Sequence, residues 1–214
     1  VEAYHGFAPE LVPFGGGVPE EHRATVVPVR WNDPEGLARA AEQHGDDLAA
    51  IVLNPIDQNP FQDTIAADPA FVAAIDDVRV RTGARLVFDD VRHGFRIHPE
   101  GSQVAVGIEP DLICLGKGLG NGHAISVLLG TEEMREGARH IMFTATFCFG
   151  MVAMRAAHKT VEIYDRDNAF DTINAAGRRL GAGIAAAAKD SGHRISWSGP
   201  PAMPTLRFID DEDL

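Results

Sequence analysis

The stretch DLICLGKGLGNGHAISVLLG, residues 111–130, decides the predicted fold. A short continuous apolar run, typical of a buried parallel strand, ends at Lys117 among four glycines. The phosphate-binding pattern GxxxxGK[ST] is broken by Asp111 and Gly118, and GxGxxG fails in every frame. A surface lysine after a strand is the plainer interpretation, which the flanking glycines disfavour. A remaining use for a lysine in so crowded a turn is an imine, because desolvation lowers the pKa of an amine and makes it nucleophilic.

Strand and helix patterns alternate along the rest of the chain. Apolar runs at residues 48–55 and 84–90 predict two further buried parallel strands, and the valine-rich residues 24–33 predict another strand. Residues 68–83 predict a helix with Asp68 as N-cap, proline in the first turn and a glycine C-cap. Residues 149–192 predict more than one helix. This alternation predicts an α/β layered sheet, whose ligands bind at the carboxyl ends of the strands.

A second strand end carries two carboxylates, in LVFDDVRHGFR at residues 86–96. Because strand neighbours point to opposite faces, only one of Asp89 and Asp90 can face a given ligand. Both could instead cap the following turn. If Asp89 pairs with a buried cation, a lysine imine and a carboxylate lie on adjacent parallel strands, 117 − 89 = 28 residues apart. Pyridoxal phosphate requires this pair: the lysine holds the aldehyde and the aspartate keeps the pyridine nitrogen protonated.

These segments resemble the class III, subgroup II, pyridoxal-phosphate-dependent aminotransferases, which include aminomutases that act on glutamate-1-semialdehyde. The family pattern is matched by residues in both strand ends: Asp89, Val91, Gly94, Phe95, Arg96, Pro110, Asp111, Lys117 and Gly122. YHG at residues 4–6 and TATFCFGMVAMRAA at residues 144–157 resemble two further family segments. The resemblance implies a fold type I transferase, with a mostly parallel central sheet and helices on both faces.

The resemblance also implies roles for residues in the strand ends. Lys117 would hold pyridoxal 5'-phosphate as an internal aldimine, and its freed amine would move a proton as base and then acid. Asp89 would pair with the pyridinium, and Val91 would pack on one face of the ring. No metal site is predicted, because the spacing of Asp89, Asp90, His93 and His98 favours a solvated loop.

Four other positions receive roles from the resemblance alone. Tyr4 would stack on the opposite face of the ring, with His5 supporting its loop, and Asn59 would lie near the phenolic oxygen. Thr146 would reach the phosphate of the neighbouring subunit, since the family shares its site across a homodimer. Two plainer interpretations remain open, in which Tyr4 is a surface aromatic and Thr146 is the N-cap of the following helix.

The implied activity is transfer of an amino group between a small-molecule amine or amino acid and a keto or aldehyde acceptor. The alternatives are an aminomutase of the glutamate-1-semialdehyde type, a non-catalytic domain with the same fold, and a metal-dependent hydrolase using the carboxylates and histidines around Asp89. Departures from the family pattern at Asn54, Asp90 and residues 148–151 leave the substrate open.

Composition limits the other possibilities. The balance of 19 basic and 31 acidic residues gives 19 − 31 = −12, which disfavours nucleic acid and anionic membranes as partners. The two separated cysteines predict a reducing, cytoplasmic compartment, and no apolar run predicts a membrane span. Both ends of the sequence look like the interior of a longer chain, which predicts that the sequence is an incomplete segment. Residues 1–190 would form a large cofactor-binding domain, and residues 191–214 the start of a small C-terminal domain.

Overall fold

A four-stranded sheet forms the centre of the protein. The computed structural model describes residues 19–57, 62–142 and 144–209. The strands of the sheet, in spatial order, are β1 (Ala50–Leu53), β2 (Arg85–Asp89), β3 (Leu112–Leu115) and β4 (Val127–Gly130). The first three strands are parallel and β4 is antiparallel to β3. The predicted α/β class with a mostly parallel sheet is therefore confirmed.

Seven α-helices and two short 3₁₀ turns accompany the sheet in the described ranges. The helices are α1 (Glu20–Arg23), α2 (Pro34–His44), α3 (Pro69–Thr82), α4 (Ser102–Val106), α5 (Met134–Arg139), α6 (Met151–Arg166) and α7 (Ala169–Asp190). The 3₁₀ turns are Gly45–Asp47 and Lys117–Leu119. Among these helices, none is both long enough and apolar enough to cross a bilayer.

Helix α3 has the ends that its sequence predicts. Asp68 occupies the N-cap position, although its side chain makes no capping hydrogen bond, and proline lies in the first turn. At the other end Gly83 adopts a left-handed conformation with φ of 74° and donates its N–H to the Arg79 carbonyl. This conformation is costly for a residue with a side chain, so glycine ends the helix there.

The hydrophobic core lies where α2 and α3 meet β1 and β2. Ile75 and Val78 of α3 and Leu86 and Phe88 of β2 have no exposed surface. Alternate residues of β2 therefore face this core, while the residues between them are less buried. Burial of these side chains fixes β2 and, with it, the position of Asp89 at its carboxyl end.

A buried carboxylate aligns β2 with β3 at the opposite end of the sheet. Asp111 accepts hydrogen bonds from the Leu86 N–H at 2.7 Å, from Arg79 at 3.1 Å and from Arg85 at 3.2 Å. Three donors satisfy a carboxylate that is only 7% exposed. The hydrogen bonds of Asp111 therefore fix the register of β2 and β3, whose other ends carry Asp89 and Lys117.

The strand predicted at residues 24–33 is wrong. Residues 26–30 have no regular secondary structure, and Pro28 lacks the N–H that a paired strand would donate. Val29 and Trp31 nevertheless pack against the core. The apolar pattern of residues 24–33 therefore indicates that side chains are buried, and it does not indicate hydrogen bonding to a sheet.

The long helical segment divides as predicted. Helices α6 and α7 are separated at Asn168, which has a positive φ of 47°. After α7 the strands β5 (Ile195–Ser198) and β6 (Thr205–Phe208) pair in an antiparallel hairpin. A Cβ on Gly177 of α7 would lie 1.8 Å from the Pro201 carbonyl oxygen, so the hairpin approaches this helix closely. The division of the chain into two domains near residue 190 stays a prediction.

Candidate active site

The sheet brings Asp89 and Lys117 to the same edge. Strands β2 and β3 are parallel neighbours, and Asp89 lies opposite Cys114 in their register. The Asp90 N–H continues the ladder by donating to the Cys114 carbonyl at 3.0 Å. Lys117 follows Cys114 by three residues and opens the 3₁₀ turn that leaves the strand. The two predicted site residues thus end adjacent strands on one side of the sheet.

Residues 116–122, the lysine loop, depend on glycine for their path. Lys117 and Asn121 have positive φ angles of 42° and 43°, and Gly122 has a φ of 106°. A Cβ on Gly120 would lie 2.1 Å from the His123 carbonyl oxygen, which leaves no room for a side chain. The glycines therefore serve a tightly turning backbone, and two residues with side chains carry left-handed strain beside them.

The side chain of Lys117 is exposed in the described part of the chain. The desolvation expected from the sequence is therefore not seen. The 3₁₀ turn begins at Lys117 itself, so the backbone leaves the sheet there. The described residues bury Gly116, Leu119 and Gly120 but not the lysine between them.

The segment after β2, residues 89–96, packs against the lysine loop and is called here the aspartate turn. The Cγ1 atom of Val91 lies 3.3 Å from the position of a Cβ on Gly116. Further along, the Arg96 guanidinium nitrogen Nη2 lies 3.6 Å from the position of a Cβ on Gly118. The aspartate turn and the lysine loop are thus in contact at two points, one on each side of Lys117.

Asp89 is half-buried at the start of the aspartate turn. Its Oδ1 accepts a hydrogen bond from the Val91 N–H at 3.3 Å, and its carbonyl accepts one from Asn54 Nδ2 at 3.4 Å. Burial and the negative charge of Asp89 together raise the pKa of the Cys114 thiol. The charge of this carboxylate therefore acts at the end of β3, where the lysine loop begins.

Asp90 has different surroundings, as the alternation of strand residues predicts. It is 3% exposed, and Ser102 Oγ of α4 donates to its Oδ1 at 2.7 Å. Burial, assisted by the charge of Asp89, raises the pKa of Asp90 to about 6. Asp90 thus faces a helix and Asp89 is the carboxylate left for a ligand.

Thr146 lies exposed in a turn before α6. The helix begins at Met151 with Gly150 at the N-cap position, four residues beyond Thr146. The interpretation of Thr146 as a helix N-cap is therefore wrong. Three other predicted site residues, Tyr4, His5 and Asn59, lie outside the described residues.

Several residues that sequence reasoning did not single out hold the aspartate turn. Tyr164 of α6 donates its hydroxyl to the Phe95 carbonyl at 3.1 Å, and Asn174 of α7 donates to the Arg96 carbonyl at 3.4 Å. These bonds join positions about 70 to 80 residues apart. No local pattern predicts them, since tyrosine and asparagine are ordinary residues in a helix.

The position of His93 differs from the prediction. The sequence predicted a solvated loop for His93 and His98, but His93 has no exposed surface. Across the ranges that the structure describes, no group of three or more histidine, cysteine or acidic side chains is arranged to hold a metal ion.

Comparison with known proteins identifies the arrangement. The sequence profile of the class III aminotransferases matches residues 27–197. The chain belongs to the class III aminotransferase family. It is 38% identical over 212 residues to the aminopentol aminotransferase of Sphingopyxis macrogoltabida, with 99% of this chain and 50% of that protein covered. It is 33% identical over 210 residues to the 3-aminobutyryl-CoA aminotransferase of Cloacimonas acidaminovorans, with 98% and 51% covered.

Other relatives widen the range of activities and confirm the fold. The glutamate-1-semialdehyde 2,1-aminomutase of Polynucleobacter necessarius is 32% identical over 201 residues, with 92% of this chain and 46% of that protein covered. The pyridoxal phosphate internal aldimine form of the FumI protein of Sphingopyxis sp. MTA144 is 38% identical, with a TM-score of 0.89, 98% of this chain and 51% of that chain. This class III chain therefore spans about half the length of the curated relatives it matches.

Class III aminotransferases use pyridoxal phosphate, and the residues at the sheet edge fit that cofactor. The lysine loop presents a primary amine, and the aspartate turn presents a half-buried carboxylate on the neighbouring strand. Val91 lies between them as an apolar side chain against Gly116. An amine for the aldehyde, a carboxylate for the ring nitrogen and an apolar contact for the ring are the groups that this cofactor needs.

Asp90→Asn is expected to stabilise the protein near neutral pH. The folded state raises the pKa of Asp90 from 3.8 to about 6, so it binds more protons than the unfolded chain between these values. Stability therefore falls as the pH rises through this window, and above pH 6 the cost reaches about 3 kcal/mol. Asparagine carries no charge and its Oδ1 can still accept from Ser102.

Urea unfolding at pH 4.5 and at pH 7 measures this effect. The free energy of unfolding of the variant should exceed that of the wild type by about 3 kcal/mol at pH 7 and by less at pH 4.5. An advantage that is equal at both pH values would show that the ionisation of Asp90 is not its source.

Proposed function

We propose that this chain is the cofactor-binding part of a pyridoxal-phosphate-dependent aminotransferase that moves an amino group between an amine or amino acid and a keto or aldehyde acceptor. The observation that carries the proposal is the contact between the aspartate turn and the lysine loop, which places Asp89 and Lys117 at one sheet edge. The relatives named as aminotransferases, at 38% and 33% identity, support the same activity.

Each residue of the site has a role in this proposal. Lys117 holds the aldehyde carbon of the cofactor through Nζ, and the carboxylate of Asp89 holds the proton on the pyridine nitrogen. Val91 packs on one ring face. The bound cofactor supplies an electron sink for the substrate carbon. When the substrate amine displaces it, Lys117 Nζ would take a proton from the substrate carbon as general base and deliver it to the cofactor carbon as general acid.

Residues outside the described ranges complete the proposed site. Tyr4 covers the second ring face, and His5 supports it. Asn59 binds the phenolic oxygen.

A second copy of the chain completes the site in the same proposal. Exposed apolar side chains concentrate on both sides of Thr146: Ile141, Met142, Phe147, Phe149, Met151 and Val152 are each between 66% and 90% exposed. So dense an apolar surface is typical of a protein–protein interface. We place the homodimer contact on residues 141–152, with Thr146 binding the phosphate held by the partner.

Phe147→Glu is expected to dissociate this dimer. Phe147 is 88% exposed, so a glutamate there costs little in an isolated subunit but puts a charge into the interface. Light scattering after size exclusion measures the mass, and a shift from dimer to monomer is the expected result. Val80→Glu on α3 is the matched control, because Val80 is 86% exposed and lies outside this surface. If Phe147→Glu keeps the wild-type mass, residues 141–152 are not the interface.

Spectroscopy and product analysis together test the proposed activity. The purified protein, expressed at its natural length, should absorb visible light after addition of pyridoxal phosphate, and an amine donor should change that spectrum. A keto acid acceptor should then be converted to the amino acid. A protein that binds the cofactor without transferring the amino group would be the non-catalytic domain. A protein that never gains the absorbance would refute the proposal.

An aminomutase is the second candidate, favoured by the relative of that name at 32% identity. The two activities differ in whether a separate acceptor is needed. Incubation with glutamate-1-semialdehyde alone should leave it unchanged if the protein is an aminotransferase. Formation of the isomerised amino acid without any acceptor would favour the aminomutase.

A further inference from the structure

His93 is the one fully buried ionisable side chain of the aspartate turn that the proposed reaction does not use. It has no exposed surface, and neither ring nitrogen has a hydrogen-bond partner among the described residues. Burial and the positive charges of Arg92 and Arg96 lower the pKa of His93 to about 3, against a smaller opposing effect of the Asp89 backbone. The imidazole is therefore uncharged at neutral pH, with one nitrogen that donates and one that accepts.

The turn around His93 is fixed by hydrogen bonds. Gly94 donates its N–H to the Asp90 carbonyl at 2.9 Å, and Arg96 donates to the His93 carbonyl at 2.9 Å. Helix α4 holds Asp90 through Ser102, and α6 and α7 hold the carbonyls of Phe95 and Arg96. Three helices thus supply partners to the turn, yet the imidazole at its centre receives none from the described residues.

The lysine loop packs against the aspartate turn. Val91 and Arg96 contact the loop on either side of Lys117, and His93 lies between them in sequence. The positive charge of Lys117 also acts on the imidazole. The buried imidazole therefore lies beside the place where the cofactor is proposed to bind.

An unsatisfied buried polar group destabilises a fold, and such groups normally have partners. We propose that His93 is a positioning residue for the cofactor. When pyridoxal phosphate binds, the imidazole forms a hydrogen bond to a group that the bound cofactor encloses in the site. That hydrogen bond holds the aspartate turn in the binding conformation. The inference rests on the proposed function, since it requires the cofactor at this edge of the sheet.

The proposal makes two predictions of opposite sign for one substitution. His93→Leu removes two unsatisfied nitrogens, so the cofactor-free protein should unfold at a temperature about 2 °C higher. The same change removes the bond formed on binding, so the dissociation constant for pyridoxal phosphate should rise about tenfold. His93→Gln keeps a donor and an acceptor and should bind within about threefold of the wild type.

The experiment uses the protein at its natural length, with thermal unfolding of the cofactor-free form and absorbance titration with pyridoxal phosphate. His98→Leu is the control, because His98 lies just beyond the aspartate turn and its ring already accepts from the Glu100 N–H at 3.1 Å. Its dissociation constant should equal that of the wild type.

Other outcomes separate this inference from the proposed function. A leucine variant that binds as tightly as the wild type overturns the role of His93, since the imidazole would then only fill space. A leucine variant that fails to fold also overturns it, because the imidazole would already have a partner in the cofactor-free protein. If the wild type binds no pyridoxal phosphate, the proposed function itself fails, whatever the histidine does.

Discussion

Lys117→Ala is expected to lower the rate of amino-group transfer by about 10³-fold or more. Alanine has no amine to hold the cofactor aldehyde or to carry a proton at the substrate carbon. The neighbouring glycines and the contact between Gly116 and Val91 do not depend on the lysine side chain, so the variant should fold. Turnover of a saturating amine donor with a keto acid acceptor measures the loss.

The chain offers a matched control for this substitution. Lys189 is exposed in the last turn of α7, far in sequence from the lysine loop. Lys189→Ala should keep the wild-type rate. Wild-type turnover by Lys117→Ala would refute the proposed mechanism even though the family assignment stands.

Asp89→Asn is expected to have the second largest effect, a loss of about 10²-fold to 10³-fold in turnover. Asparagine keeps the size of the side chain and an oxygen that can accept from the Val91 N–H. It lacks the negative charge that holds a proton on the pyridine nitrogen, so the electron sink is weakened. Steady-state rates at saturating cofactor separate this loss from weaker binding.

Asp90→Asn is the control one residue away. Asp90 faces Ser102 of α4 and not the lysine loop, so its turnover should stay within about threefold of the wild type. If Asp90→Asn loses more activity than Asp89→Asn, Asp90 is the carboxylate that pairs with the pyridine nitrogen, and the assignment of the two carboxylates is reversed.

The sheet edge was predictable because its signals are local. The apolar runs before Asp89 and Lys117 each end where the strand ends, within one or two residues. Gly83 marks the end of α3 through its own backbone conformation. Strand alternation predicted that Asp89 and Asp90 face opposite sides of β2, and the family resemblance indicated which of them faces the cofactor.

The remaining features depend on contacts between distant segments. Residues 24–33 have a strand pattern, but strand formation requires a partner that the described chain does not provide for them. His93 is buried in a turn that is held by hydrogen bonds from α4, α6 and α7, which come from distant parts of the sequence. The exposure of Lys117 likewise depends on which segments cover the lysine loop, and glycine spacing carries no information about that.

Borohydride reduction followed by peptide mapping tests the central claim most directly. Reduction makes the link between an enzyme amine and the cofactor permanent, so the labelled residue can be read from the peptide mass. The chain has two other lysines, Lys159 and Lys189, which serve as internal controls. The expected result is a pyridoxyl group on Lys117 alone. A label on another lysine, or none on a protein saturated with pyridoxal phosphate, would contradict the assignment of the sheet edge as the cofactor site.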